Sequence, residues 1–142
     1  MCEIFGYGED ALTLWALKHR TTDILEAFQD QTASSDCLIF YRPSFGRNGK
    51  KGSAVFGEFD AILVSSENVY LIESKWDNFS DFNDEKVTIE SVQKMRHRIF
   101  RWYLMHWDPK YSNNWESFIR DHSSDFQKKF HGKKIAPSDG LL

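Results

Sequence analysis

The chain has few cysteines and no long hydrophobic run, and both absences narrow its class. Only Cys2 and Cys37 occur in 142 residues, and neither belongs to a metal-binding cluster or a redox pair. Two isolated thiols are typical of a reducing compartment, so we expect the protein in the cytoplasm. No apolar run approaches the roughly 18 residues of a membrane span, and the N-terminus does not resemble a secretory signal. The sequence therefore predicts neither a membrane protein nor a disulfide framework.

An excess of basic residues is also lacking. The formal net charge is −3, from 18 Lys and Arg against 21 Asp and Glu, so the total charge does not indicate a nucleic-acid binder. The distribution is uneven, because the first 36 residues are acidic and basic residues gather at 42–51, 94–101 and 128–134. Salt screens distant charges, so a local basic face matters more than the total. The charge balance is therefore compatible with nucleic-acid binding.

Length and composition predict one globular domain covering residues 1–142. Hydrophobic residues make up 41% of the chain and charged residues 27%, which is typical of soluble globular proteins. The 12 Phe, 5 Trp and 5 Tyr are interpreted mainly as core-filling residues and only to a minor extent as base-stacking ones.

The order of predicted elements is helix, three strands, then two helices. Hydrophobic periodicity and turn residues predict helices at 8–30, 87–107 and 114–130 and strands at 37–41, 54–64 and 69–75. The link at 65–68 is short enough for a hairpin. The glycine-rich segment 44–53 and the polar segment 76–86 are predicted loops, and the tail from Gly132 shows no core-forming pattern. Helices on both sides of a three-stranded meander predict an α/β or α+β layer.

Three charged residues on the predicted hairpin indicate chemistry. Glu73 and Lys75 lie two apart on a strand, so both project from the same face. Burial of either charge without a partner costs on the order of several kcal/mol. The hairpin brings Asp60 alongside Glu73, and two close carboxylates repel unless a cation lies between them. A hard divalent metal ion is such a cation and prefers oxygen ligands.

These residues resemble a known signature. Asp60, twelve intervening residues and then Glu73-Ser74-Lys75 are similar to the D-x(n)-E-x-K motif of the PD-(D/E)xK nuclease superfamily. The hairpin, the aliphatic run before Glu73 and the helix on each side are similar as well. The proline of the family name is absent, since Phe59 precedes Asp60. The resemblance implies a restriction-endonuclease-like core, in which a central mixed sheet contains the three-stranded meander and is flanked by helices.

The same resemblance implies a metal site. Asp60 and Glu73 are then ligands of Mg²⁺ or Mn²⁺, with the backbone carbonyl of Ser74 as a third ligand. Lys75 orients or activates the attacking water and stabilises the developing phosphate charge.

Two further residues are candidates for this site. Glu9 on the first helix resembles an additional metal ligand of the family, and its alternative is an acid that stabilises a helix N-terminus. Gln93 on the long helix resembles a residue that the family places near the catalytic lysine. Alternatively, Gln93 is part of a solvated basic helix face.

Two basic groups are candidates for DNA contacts. Arg47, Lys50 and Lys51 lie in the glycine-rich loop, and Lys94 and Arg96 lie on the long helix. Exposed, flexible cations suit phosphate contacts that hold a nucleic-acid backbone without reading its sequence. The alternative for both groups is a solvated surface.

The predicted function is hydrolysis of DNA phosphodiester bonds by a metal-dependent endonuclease. The alternative is a non-catalytic module of the same fold that binds nucleic acid or protein, and a third possibility is a small interaction protein. The family usually has one more strand after the second core helix. That strand either starts at 134–136 or is missing from this chain, in which case a longer protein, a partner protein or a homodimer completes the domain.

Overall fold

A computed structural model of the protein describes residues 8–46, 55–75, 82–83 and 86–137. The helices in these ranges are α1 (Gly8–His19), α2 (Thr21–Ala27), α3 (Ser91–His106) and α4 (Trp115–Lys129). The strands are β1 (Leu38–Tyr41), β2 (Ala61–Val64), β3 (Val69–Ile72), β4 (Phe82–Asn83) and β5 (Lys86–Val87). Short 3-10 helices cover Ser34–Asp36 and Pro109–Tyr111. Across the described ranges, no helix combines the length and apolar character that crossing a membrane requires.

The described chain forms two compact units. The sheet unit comprises Met1–Pro43 and Phe59–Ile89, and the helical unit comprises Ser44–Glu58 and Glu90–Leu142. The segment 44–58 therefore leaves the meander between β1 and β2 and belongs with α3 and α4. The single domain expected from the chain length stays a prediction.

The sheet unit contains the predicted meander. The strand order is β1-β2-β3, and both pairs are antiparallel, with Tyr41 opposite Ala61 and Ala61 opposite Ile72. The mixed α/β class and the three-stranded hairpin arrangement are thus confirmed. The described sheet is antiparallel throughout, which differs from the mixed sheet that the resemblance implies. β4 and β5 form a separate two-stranded sheet, which begins inside the segment 76–86 predicted to be a loop and ends at Val87.

The predicted first helix is divided in two. α1 ends at His19 and α2 begins at Thr21, with Arg20 in a non-helical conformation at φ −128°. The Thr21 hydroxyl donates a hydrogen bond to the carbonyl of Leu17. Back-bonding of this kind by a threonine within a helical pattern bends the chain, which explains the break. The helical pattern ends at Ala27, earlier than predicted, because Gln29 adopts a positive φ of 57°.

α3 starts four residues later than predicted because Glu90 forms a cap. The side chain of Glu90 accepts from the backbone of Gln93, and the Gln93 side chain accepts from the Glu90 backbone N–H at 3.0 Å. This reciprocal arrangement is a capping box, which satisfies two backbone donors at the helix start. Val87, which the periodicity assigns to the helix, belongs to β5.

A buried carboxylate fixes the end of α2 against the β2–β3 turn. Asp30 Oδ2 accepts from Ser65 Oγ at 2.6 Å, Tyr70 Oη at 2.7 Å and Asn68 Nδ2 at 3.2 Å. The backbone N–H of Thr32 donates to Oδ1 at 3.0 Å. The Ser65 hydrogen bond is the main reason why the pKa of Asp30 lies well below its usual value, since donors stabilise the ionised form. The sheet unit is therefore held by a satisfied polar network as well as by apolar contacts.

Aromatic rings fill the core of the helical unit. Trp102, Tyr103, Phe118 and Phe126 are each at most 1% exposed, and Trp102 packs against Phe126 with ring centroids 4.8 Å apart. In this unit the aromatic residues thus fill the core, as the sequence predicts, whereas Trp15 and Phe28 of the sheet unit are exposed.

The tail after α4 also joins this core. Ala136 is buried, its N–H donates to Tyr103 Oη at 2.7 Å, and its carbonyl accepts from Trp115 Nε1 at 2.8 Å. Residues 134–136 are not a strand, so the prediction that a further strand starts there is wrong.

Position 57 requires glycine, both because of its backbone conformation and because the Arg96 side chain lies close to it. Its φ is +92°, and a Cβ at this position would lie 2.7 Å from Arg96 Nη1. We expect Gly57→Ala to lower the free energy of unfolding by about 2–3 kcal/mol, because both strain and the displacement of a buried guanidinium oppose the new methyl group. Urea unfolding followed by circular dichroism measures the difference.

Gly132 provides the matched control for this substitution. It also has a positive φ, +78°, but no atom lies within 4 Å of the place that a Cβ would occupy, so Gly132→Ala tests backbone strain alone. We expect a cost of about 1 kcal/mol for this variant. Equal losses in the two variants would show that Arg96 does not restrict Gly57.

Candidate functional site

The predicted site residues of the sheet unit gather at one end of the meander. Asp60 directly precedes β2, and Glu73 directly follows β3. The β2–β3 register pairs Ala61 with Ile72, so its extension by one residue places Asp60 opposite Glu73. Opposite residues of an antiparallel pair project from the same face with Cβ atoms about 5 Å apart. The paired strands themselves end at Ala61 and Ile72, so the approach of the two carboxylates to each other stays a prediction.

A direct hydrogen bond ties the Glu73–Lys75 segment to Asp60. The backbone N–H of Ser74 donates to Asp60 Oδ2 at 2.6 Å, and Asp60 itself is partly buried. The backbone carbonyl of Asp60 accepts from the N–H of Arg42 at 3.0 Å, so the residue is held on both sides. The resemblance places Ser74 at this site through its carbonyl oxygen. Its N–H also has a role there, since it orients one carboxylate oxygen of Asp60.

The Ser74 side chain connects the site to α1. Ser74 Oγ shares a hydrogen bond with Thr13 Oγ1, and Thr13 Oγ1 also donates to the carbonyl of Glu9 at 2.7 Å. A hydroxyl has a single proton, so Ser74 is the donor in the bond between the two hydroxyls. Glu9 lies one turn before Thr13 on the same helix face. The candidate metal ligand Glu9 is therefore on the stripe of α1 that contacts the Glu73–Lys75 segment.

A second contact fixes the start of α1 at the same end of the sheet. Arg42 Nη1 and Asp10 Oδ2 form an ion pair at 2.8 Å, and Tyr41 Oη donates to the carbonyl of Asp10 at 2.9 Å. Both partners of the ion pair are about half exposed, so the pair orients the helix more than it stabilises the fold. Arg42 therefore positions α1, a role that its place in a basic stretch does not suggest.

Thr13 is the residue that the sequence analysis missed. It is a buried polar side chain of α1, with the buried residue Leu17 one turn later. No spacing in the sequence indicates its role, because its partner Ser74 is 61 residues away in the chain. Its position sets the distance between α1 and the Glu73–Lys75 segment.

The candidate residues on α3 belong to the helical unit. The Gln93 side-chain oxygen accepts from the Glu90 N–H, so Gln93 has a structural role as part of the helix cap. Lys94 is exposed, as a DNA-contact residue requires. Arg96 is only 8% exposed and lies beside Gly57, which differs from the accessible position expected for phosphate contact. Arg47, Lys50 and Lys51 lie outside the described residues.

The donor set of the sheet unit suits a hard divalent cation. Within the described ranges, no three His, Cys, Asp or Glu side chains form a metal-binding group. Mg²⁺ does not need such a group, because it keeps several waters and is usually bound by one or two carboxylates together with substrate phosphates. Asp60 and Glu73 provide two carboxylates, and Ser74 adds a backbone carbonyl. All of these donors are oxygens, which fits Mg²⁺ or Mn²⁺ better than softer metals.

Known proteins provide no independent assignment for this arrangement. No protein-family model, curated protein or solved structure matches the chain.

Proposed function

We propose that this protein is a Mg²⁺- or Mn²⁺-dependent nuclease of the PD-(D/E)xK type that hydrolyses phosphodiester bonds in DNA, acting as an endonuclease in the cytoplasm. The observation that supports the proposal best is the hydrogen bond from the Ser74 N–H to Asp60. It joins the two halves of the signature, which are separated in sequence by the whole hairpin, at one end of that hairpin. The restriction-endonuclease-like core is part of this proposal.

Each residue has a distinct task in the proposed reaction. When bound, Mg²⁺ or Mn²⁺ would supply Lewis-acid chemistry at the phosphate. Asp60 and Glu73 hold that ion, and Ser74 keeps one oxygen of Asp60 in a fixed orientation. The Lys75 ammonium stabilises the negative charge that develops on the phosphate and orients the attacking water. Glu9 contributes a further carboxylate from α1.

A non-catalytic module of the same fold is the second candidate. It is favoured by Gln93, whose side-chain oxygen accepts from the Glu90 N–H and so caps α3. Such a module would bind nucleic acid or protein without metal-dependent cleavage, so an activity measurement separates the two.

The first test is nicking of supercoiled plasmid DNA by the purified chain. We expect nicking with Mg²⁺ or Mn²⁺, none in EDTA, and a loss of at least about 100-fold in Glu73→Gln, because this change removes a ligand charge and leaves the side-chain shape intact. Glu67→Gln is the matched control, since the exposed Glu67 lies in the β2–β3 turn of the same unit. It should nick DNA at the wild-type rate.

Two results would contradict the nuclease proposal. The first is intact DNA with every metal ion from a protein whose circular dichroism shows it to be folded. The second is equal nicking by wild type, Glu73→Gln and Glu67→Gln, which would indicate a contaminating nuclease.

A further inference from the structure

The helical unit contains a groove lined by cations. The groove has a volume of about 420 Å³ and lies between α3 and the end of α4. Its accessible lining residues are Met95, Arg98, Arg101, Met105, Lys129 and His131. None of the residues that line it is Asp or Glu. Among the described residues, Arg98, Arg101 and Lys129 form no ion pair, so their charges are available to a ligand.

Basic residues outnumber acids in the two segments that form this groove, and the nearest acid in α4 is Asp125, which accepts from Nε1 of the lining residue Trp102 at 3.0 Å. α3 contains four Lys and Arg residues and no Asp or Glu, and the same holds for residues 126–137. The chain as a whole has 21 acidic residues and a net charge of −3. The groove is therefore locally basic, although the net charge of the whole protein is negative.

Helical periodicity separates the basic residues of α3 by role. Lys94, Arg98 and Arg101 follow the i, i+4, i+7 spacing of one face, and all three are exposed. Arg96 instead shares its stripe with the buried residues Ile99 and Tyr103. The exposed stripe spans about 10 Å along the helix axis, a length over which one DNA strand has about three phosphates.

We propose that this groove, with Arg98, Arg101 and Lys129 as its phosphate contacts and Lys94 as an extension along α3, binds the phosphodiester backbone of DNA. The choice of DNA as the polyanion rests on the proposed nuclease function. The groove is a binding surface of the helical unit, and it requires neither the metal ion nor Glu73.

The exposed chemistry of the groove favours DNA over an acidic protein. Trp102 and Phe130 at its base are only 1% and 4% exposed, and Met105 is the strongly exposed apolar side chain of the lining at 69%. Protein interfaces usually centre on accessible aromatic and apolar anchors. Phosphate contacts instead need flexible, exposed cations, which is what Arg98, Arg101 and Lys129 are.

The test measures binding separately from cleavage. A fluorescent DNA duplex of about 30 base pairs is titrated with protein in EDTA at several KCl concentrations, and anisotropy gives the Kd. We expect Arg98→Gln/Arg101→Gln to weaken binding by at least about tenfold. The slope of log K against log [KCl] should become shallower by about 2, since each phosphate contact contributes about 0.9.

The control variants remove the same number of charges as the groove variants, but at other positions of the chain. Lys110→Gln/Arg120→Gln removes the same charge from exposed positions of the same unit, and we expect it to bind within about twofold of wild type. Lys129→Gln provides an independent groove variant on α4 and should also lower both the affinity and the salt slope. Glu67→Gln, at an exposed acid of the sheet unit, should bind as wild type does.

The possible outcomes test the groove proposal and the nuclease proposal separately. Equal losses in the Arg98/Arg101 and Lys110/Arg120 variants, or no binding by wild type at low salt, would overturn the groove proposal. Competition by poly-L-glutamate as effective as that by DNA would overturn the choice of DNA. Glu73-dependent nicking with binding unaffected by Arg98 and Arg101 would refute the groove alone. Groove-dependent binding by a protein that never nicks DNA would refute the nuclease alone.

Discussion

Replacement of Asp60 by asparagine is expected to lower the rate of metal-dependent nicking by at least about 100-fold and to raise the Mg²⁺ concentration at half-maximal rate. The reason is that Asp60 combines two functions at one position. It accepts the Ser74 N–H through Oδ2, and in the proposed site it binds the metal ion. Asparagine keeps an acceptor oxygen for the Ser74 N–H but loses the charge, so the hairpin should stay intact while metal binding weakens.

Titration of Mn²⁺ by calorimetry measures the metal step directly. Asp60→Asn should bind Mn²⁺ more weakly than wild type, whereas Lys75→Met should bind it with similar affinity and still lose about 10²–10³-fold in nicking rate, as removal of one electrostatic stabiliser does. Asp23→Asn, at an exposed acid of α2, is the control for loss of one negative charge in the sheet unit. Wild-type nicking by Asp60→Asn would refute the assignment of Asp60.

The position of the site at the end of the hairpin could be predicted because it depends on local geometry. The short link between Val64 and Val69 leaves few possible registers, and the observed register brings the Ser74 N–H to Asp60. The bond between the Thr13 and Ser74 hydroxyls could not be predicted in this way. It joins α1 to a segment that is distant in the chain, and no spacing in the sequence encodes such a contact.

Two of the residues on α3 allow a different interpretation from the sequence alone. Glu90 and Gln93 have the spacing of a capping box, so the pattern also indicates a structural role for Gln93. Arg96 lies one turn before Ile99 and two turns before Tyr103, which places it on the buried stripe. The charge of the basic residues predicts DNA contacts for Lys94 and Arg96 alike, whereas helical periodicity places Arg96 on the buried face and Lys94 on the exposed one.

The division into two units was not predictable from local patterns. Residues 44–58 lie between two paired strands in sequence, and their composition predicts a loop followed by the first half of a long strand. The structure instead places Phe45 against Phe100 of α3, with ring centroids 5.1 Å apart. Gly57, with its positive φ, interrupts the strand pattern, and the sequence shows this interruption. The sequence does not show that the segment packs against α3.

We expect the largest loss of stability from a substitution in the aromatic cluster of the helical unit. Phe118 is 0% exposed and lies at its centre, with the ring of Trp115 stacked at 4.7 Å and that of Tyr111 edge-on at 5.2 Å. Tyr103 and Trp102 are also neighbours, with ring centroids at 5.8 Å and 6.0 Å. Since rings on several sides are held by other contacts, they cannot collapse fully into the space that a smaller residue would leave.

We therefore expect Phe118→Ala to lower the free energy of unfolding by about 3–5 kcal/mol, the range for a phenylalanine removed from a packed core. This is a large part of the roughly 5–15 kcal/mol by which domains are stable. Urea unfolding followed by tryptophan fluorescence measures it, because Trp102 and Trp115 contact the Phe118 ring. Phe28→Ala is the control, since Phe28 is 65% exposed and should cost less than about 1 kcal/mol. Similar losses in the two variants would show that the helical unit is not organised around Phe118.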